Sequence, residues 1–172
     1  MNMYAQFGFQ NRHAAGVILN VGSNCDPAGL GARGAVNVDL HRVSPATGIR
    51  NRVDALADAR ALPFRGAFDT VVIGDLLEHL RFSQIIRVLR EAKRALRPQG
   101  KIVVTCPDDH RTIEEQAQFG KETEYAPGVQ ALHARRMPLE LLWALVELAG
   151  LRVRQAEIIH YPHYSGWGLV VC

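Results

Sequence analysis

The chain of 172 residues has little of what marks several functional classes of protein. Its 3 cysteines, Cys25, Cys106 and Cys172, are few and far apart, so they predict neither a disulfide framework nor a metal site. The net charge is only +3, and the arginines are scattered rather than clustered. That distribution is typical of a solvated surface and does not indicate a nucleic-acid partner.

Long apolar runs are also missing. The most apolar segment, residues 139–148, contains two glutamates and is too short to span a bilayer, which takes about 20 residues. The N-terminal residues include no apolar core of signal-peptide length. Together with unpaired cysteines, this predicts a cytoplasmic protein without a membrane partner.

What the sequence does have is an alternation of buried strands and helices. We expect residues 1–16 to form an N-terminal lead or lid and residues 17–172 to form one domain. Apolar stripes predict helices over about 83–96, with Ser83 as N-cap, and over 138–149. Strands are predicted at 17–21, 35–39, 53–57, 68–73, 101–106, 152–160 and 167–171.

This order of elements predicts an α/β fold. We expect a doubly wound, Rossmann-like, mostly parallel sheet in a three-layer sandwich, ending in a hairpin with an antiparallel C-terminal edge strand. The segment between the first two strands holds Pro27 and several glycines. It therefore predicts a turn of helix at most, in place of a full crossover helix.

Polar side chains follow the fourth and fifth strands at the point where each strand ends. In open α/β sheets, ligands bind beyond these carboxyl ends. Residues 68–80, FDTVVIGDLLEHL, combine such a strand with a polar turn. The polar residues of the two strand ends are Asp75, Glu78, His79, Asp108, Asp109 and His110.

At this point the chain resembles the class I S-adenosylmethionine-dependent methyltransferases over residues 17–171. It is most similar to small methyltransferase-type proteins whose first half is compressed. The matching pieces are ILNVGSN (18–24), NVDL (37–40), ADARALPF (57–64), FDTVVIGDLLEHL (68–80), LREAKRALRPQGKIVVTCPD (89–108) and HARRMPLELLWALVELAGLRV (133–153).

The resemblance implies S-adenosylmethionine as cofactor. It puts the backbone of residues 22–24 near the methionine part, Asp39 at the ribose hydroxyls and Asp58 at the adenine edge. Asp75 and Leu76 are placed near the adenine and the sulfonium. The implied cofactor residues are Asn20, Gly22, Ser23, Asn24, Asp39, Leu40, Asp58, Ala59, Asp75 and Leu76. Asn20 stands where the family usually has an acidic residue.

Three residues are candidates for catalysis: His79, Asp108 and His110. His79 could act as acid or base, or it could pack structurally at the start of a helix. Asp108 and His110 could face the substrate, or they could belong to an ordinary polar loop.

The resemblance implies a methyltransferase acting on a small-molecule or glycan-type acceptor. The alternative is a non-catalytic or partner-dependent S-adenosylmethionine-binding scaffold, which Asn20 and the reduced first crossover favour. A nicotinamide-dependent oxidoreductase ranks lower, because it requires a G-x-G-x-x-G turn that opens a full helix. The terminal hairpin could provide the edge of a homodimer.

Overall fold

A computed structural model describes residues 5–24, 26, 28–43, 48, 50–108, 137–160 and 165–172 of the chain. Its helices are α1 (Ala5–His13), α2 (Phe82–Ala95) and α3 (Leu139–Leu148), with short 3₁₀ turns at Leu30–Arg33 and Leu77–His79. The strands are β1 (Ile18–Val21), β2 (Val36–Asp39), β3 (Ala55–Leu56), β4 (Phe68–Gly74), β5 (Leu96–Pro107), β6 (Val153–His160) and β7 (Ser165–Val171).

The strands form one mixed sheet in the order β3-β2-β1-β4-β5-β7-β6. Neighbours from β3 to β5 are parallel, whereas β7 is antiparallel to both β5 and β6. The predicted fold class, a mostly parallel sheet that ends in an antiparallel hairpin, is confirmed.

One detail of position differs from the prediction: β7 lies one place inside the edge, and β6 forms the edge. The difference in burial between the two strands explains why β7 lies inside the sheet and β6 at its edge. Leu169 and Val171 of β7 are fully buried, whereas most β6 side chains are exposed, with Arg154 and His160 among them. Charged and polar side chains suit an edge strand because they discourage pairing with another chain.

Hydrophobic residues cover both faces of the sheet. One face buries the apolar stripe of α2, with Ile85 and Leu89, together with Leu142 of α3. The other face buries Phe9 of α1 and Leu30 of the first 3₁₀ turn. The result is the predicted arrangement of helices on both sides of a sheet.

The N-terminal segment contributes to this packing. Phe9 is fully buried in a cluster with Val103, Ile159 and Val170, so α1 lies against the β5–β7–β6 half of the sheet. Whether residues 1–16 also act as a lid stays a prediction.

The start of α2 differs from the prediction. The helix begins at Phe82, with Arg81 at the N-cap position, so the expectation that Ser83 caps it is wrong. The backbone N–H of Arg81 donates to Gln84 Oε1 at 2.9 Å, and this bond fixes the N-cap two residues before Ser83. Among the described residues, no helix is long and apolar enough to cross a membrane.

Candidate functional site

The parallel strands bring most of the predicted cofactor residues to one edge of the sheet. The loop at residues 22–24 follows β1, Asp39 ends β2, Asp58 follows β3 and Asp75 follows β4. Because these strands are parallel neighbours, their carboxyl ends meet at the same edge.

Asp39 joins the first two strand ends directly. Its Oδ2 accepts the backbone N–H of Asn24 at 3.0 Å, and its Oδ1 accepts the N–H of His41 at 3.1 Å. The side chain is only partly buried. A carboxylate has acceptor capacity beyond two hydrogen bonds, so Asp39 can still accept from ligand hydroxyls.

Gly22 provides a close approach of backbone to Leu76. Its φ of 67° lies in the left-handed region, and a Cβ there would sit 3.1 Å from Leu76 Cδ2. The N–H groups of Gly22 and Ser23 both donate to the carbonyl of Val38, at 2.9 and 3.1 Å. The backbone N–H groups of residues 22–24 therefore donate within the protein. The loop's contribution to the site is the close approach of its backbone to Leu76.

A buried aspartate that sequence reasoning missed lies beneath this loop. Asp26 Oδ1 accepts from the Asn20 side chain at 3.3 Å and from the Leu30 backbone at 3.0 Å, and Oδ2 accepts the Gly31 N–H at 2.8 Å. The negative charge absent from Asn20 is thus present six residues later. It ties the end of β1 to the 3₁₀ turn that replaces the first crossover helix.

Asn20 itself is buried, and its Nδ2 also donates to Asn37 Oδ1 at 2.9 Å. The Ser23 hydroxyl donates to the Arg52 carbonyl at 2.9 Å. Both side chains bond to neighbouring protein groups and thereby support the loop after β1; their contact with the cofactor stays a prediction. Leu40, by contrast, is 51% exposed beside Asp39.

Asp58 is engaged by an arginine two residues later. Arg60 donates from Nη2 to Oδ2 at 2.7 Å and from Nε to Oδ1 at 2.9 Å. These hydrogen bonds, more than the burial that opposes them, lower the pKa of the Asp58 carboxyl below its ordinary 3.8. These hydrogen bonds also restrain the backbone of Ala59, which lies between Asp58 and Arg60.

We expect Arg60→Met to raise the pKa of Asp58 towards its ordinary value. A carboxyl with a lowered pKa stabilises the fold above its unfolded pKa, and that contribution is lost as pH falls through the folded pKa. The unfolding free energy of wild type and variant should therefore differ at pH 7 and converge below pH 3.8. NMR titration of the Asp58 side chain measures the shift directly; an unchanged midpoint in Arg60→Met would contradict the assignment.

Asp75 stands at the end of β4 with a φ of 48°. Its backbone N–H donates to the Thr105 carbonyl at 3.0 Å, and its Oδ1 accepts the Thr105 hydroxyl at 3.1 Å. Backbone and side chain are thus both fixed to β5, which holds the carboxylate at the edge of the site.

The predicted catalytic residues fall into different surroundings. His79 is exposed to 39% and its Nε2 lies 3.7 Å from Oε1 of Glu78, whose side chain is 1% exposed. Asp108 is buried, and its Oδ2 accepts the indole N–H of Trp167 at 3.0 Å. His110 lies outside the described residues.

Glu78 also meets the buried thiol of Cys106, which donates to its Oε2 at 3.6 Å. Burial, reinforced by the nearby carboxylates, raises the pKa of Cys106 well above its ordinary value. This thiol is therefore a packed structural group.

Comparison with known proteins agrees with the fold described above. A family described as a methyltransferase domain matches residues 30–104. A methyltransferase from Methanosarcina mazei, described as S-adenosylmethionine-dependent, has a similar structure at 13% identity and a TM-score of 0.65, with 94% of each chain covered. No curated protein sequence matches the chain.

Two further solved structures have a similar fold. Magnesium protoporphyrin IX methyltransferase from Synechocystis, solved with bound S-adenosylhomocysteine, aligns at 11% identity and a TM-score of 0.63, covering 97% of this chain and 78% of that one. A protein described as a pericyclic reaction enzyme aligns at 13% identity and a TM-score of 0.63, covering 95% of this chain and 46% of that one.

The chain thus shares the fold of solved methyltransferases, and residues 30–104 match a methyltransferase domain. The resemblance to the class I S-adenosylmethionine-dependent methyltransferase superfamily, predicted from the motifs, is confirmed by the family match and the shared fold. At these identities the structural likeness concerns the fold, and fold alone does not determine the reaction.

Proposed function

We propose that this chain binds S-adenosylmethionine across the carboxyl ends of β1, β2 and β4 and transfers its methyl group to a small-molecule or glycan-type acceptor. The observation that carries the proposal is the Asp39 carboxylate. It is partly exposed, is oriented by two backbone N–H groups, and lies beside the close contact of Gly22 with Leu76.

The residues present suit the cofactor in shape and charge. Asp39 would accept the two ribose hydroxyls, and the exposed Leu40 beside it offers an apolar surface for the adenine. The Asp75 carboxylate, fixed by Thr105, would face the cationic part of the ligand, where a negative charge is stabilising. We keep the ten predicted cofactor residues as the proposed set, with the buried Asn20 and Ser23 supporting the loop after β1 through their hydrogen bonds to the protein.

Catalysis in this account rests mainly on positioning. When bound, S-adenosylmethionine supplies an electrophilic methyl group. The chain's own residues would hold the acceptor in line with that group and exclude water. A base is needed only if the attacking atom of the acceptor carries a proton.

We assign that base to His79. Its imidazole is partly exposed and lies next to the buried Glu78 carboxylate, which would stabilise the protonated ring. Asp108 is given a positioning role, because it already accepts the Trp167 indole N–H in a buried setting.

The basic side chains of α2 contact the protein itself, which is why we do not propose a nucleic-acid acceptor. Arg90 donates to the Leu148 carbonyl at 3.0 Å and Lys93 to the Gly150 carbonyl at 2.6 Å. α3 has no basic residue in its own last turn, so these two cations stabilise its C-terminal end. They are structural contacts rather than a surface arranged for phosphates.

The test is turnover. Purified protein is incubated with S-adenosylmethionine and a panel of small hydroxyl, amine, carboxyl and glycan acceptors, and release of S-adenosylhomocysteine is measured. We expect release with at least one acceptor class and a decrease of roughly 100-fold in His79→Ala if the acceptor must lose a proton. Release that does not depend on any acceptor would contradict methyl transfer.

The second candidate is a scaffold that holds S-adenosylmethionine without turning it over, alone or with a partner. Two observations favour it: the first crossover is reduced to Leu30–Arg33, and the amide of Asn20 stands in place of an acidic side chain. Tight binding without release of product from any acceptor class would support the scaffold over the enzyme.

A further inference from the structure

A buried chain of hydrogen bonds runs from the N-terminal helix to the site edge. Gln10 of α1, 4% exposed, donates from Nε2 to the Thr105 hydroxyl oxygen at 2.8 Å. Thr105, fully buried on β5, donates its hydroxyl hydrogen to Asp75 Oδ1 at 3.1 Å. We call these three residues the Gln10–Thr105–Asp75 chain.

The direction of these bonds is fixed by chemistry. An ionised carboxylate can only accept, so Thr105 must donate its single hydroxyl hydrogen to Asp75. The Thr105 oxygen then accepts from Gln10, which must present its NH₂ group rather than its carbonyl. Gln10 thus holds the hydroxyl in the orientation that stabilises the charged form of Asp75.

Gly74 shows that the path of Gln10 is built into the sheet. A Cβ on Gly74 would lie 2.4 Å from Gln10 Nε2, so any other residue there would displace the end of the Gln10 side chain. The glycine at the end of β4 thus leaves room for the Gln10 side chain to reach Thr105. The same strand end turns into Asp75 at a φ of 48°.

From this geometry we infer that Gln10 and Thr105 are positioning residues that tune the Asp75 carboxylate to recognise a sulfonium cation. The inference rests on the proposed function, since it takes S-adenosylmethionine as the ligand. S-Adenosylmethionine is cationic at sulfur, whereas S-adenosylhomocysteine has a neutral thioether. A well-placed carboxylate favours the first ligand over the second, because only the first has a charge to attract.

The experiment measures the Kd of both ligands by calorimetry in the wild type and in Gln10→Met, Thr105→Val and Asp75→Asn. We expect each of the first two variants to lower the preference for S-adenosylmethionine over S-adenosylhomocysteine by roughly three- to tenfold. Asp75→Asn should lower it most, and adding Gln10→Met to Asp75→Asn should change it no further.

The ratio of the two Kd values is insensitive to a loss of protein stability. A partly unfolded variant weakens the apparent affinity for both ligands by the same factor, so a purely structural role for Gln10 would leave the ratio unchanged. Arg12→Ala is the control on the same helix, because Arg12 pairs with Glu157 of β6, away from the chain. Its ratio should equal that of the wild type.

The outcomes separate the two proposals. If the wild type binds both ligands and only Asp75→Asn changes their ratio, the positioning role of Gln10 and Thr105 is overturned while the proposed function stands. If the folded wild type binds neither ligand, the proposed function fails and this inference fails with it. A lowered ratio in Gln10→Met and Thr105→Val, with Arg12→Ala unchanged, supports the inference.

Discussion

Replacing Asp39 by alanine is expected to weaken the binding of S-adenosylhomocysteine by about 100-fold or more. The carboxylate would accept two ribose hydroxyls, and hydrogen bonds to a charged acceptor contribute about 1.5–3 kcal/mol each. A loss of about 3 kcal/mol corresponds to roughly 100-fold in Kd. The same change removes the acceptor of the Asn24 N–H, which loosens the loop after β1.

Two variants separate these effects. Asp39→Asn retains one oxygen that can accept the Asn24 N–H but loses the charge, and we expect about tenfold weaker binding. Asp69→Ala is the control aspartate: it lies at the opposite, amino end of β4, where its Oδ2 accepts the Val17 N–H at 2.8 Å and pairs with Arg97 at 3.0 Å. Its Kd should be unchanged. Equal affinities for Asp39→Ala and wild type would exclude Asp39 from the site.

The second large effect is on stability. Asp26→Ala is expected to lower the unfolding free energy by about 3 kcal/mol, because it leaves two backbone N–H groups without their buried acceptor. For a protein of this size that corresponds to a fall in Tm of roughly 6–12 °C. A Cβ on Gly31 would come within 2.9 Å of Asp26 Oδ2, which indicates how closely the turn is built around this carboxylate.

Urea unfolding of Asp26→Ala and Asp26→Asn measures the effect. Asparagine tolerates the left-handed φ of 56° at this position and keeps one acceptor oxygen, so its loss should be about half as large. A loss below about 1 kcal/mol in Asp26→Ala would contradict the central role of this carboxylate in the loop.

Much of the fold could be predicted because its elements are marked locally. The apolar runs of β1 and β4 lie within about one residue of their predicted bounds, since a buried parallel strand must be apolar on both faces. The glycines and Pro27 correctly predicted that the first crossover would not form a full helix; it is the 3₁₀ turn Leu30–Arg33. The order of the strands could not be predicted from local signals. The position of β7 between β5 and β6 depends on pairing between segments that are far apart in the chain.

Some residues of the site could likewise be predicted from the sequence, and others could not. Asp39 and Asp75 could be located because Asp39 ends a predicted strand and Asp75 comes after one. Gln10 could not, since its partner Thr105 is 95 residues away, and the one local signal is the glycine at position 74. The contact of Asp26 with Asn20 depends on the conformation of the backbone turn between them, which could not be predicted from the residue types.

The most direct test of the account is calorimetric titration of the wild-type protein with S-adenosylmethionine, S-adenosylhomocysteine and NAD. We predict that one molecule of either adenosyl ligand binds per chain and that NAD does not bind. Failure of a folded protein to bind either adenosyl ligand would contradict the claim that the carboxyl ends of β1, β2 and β4 form an S-adenosylmethionine site.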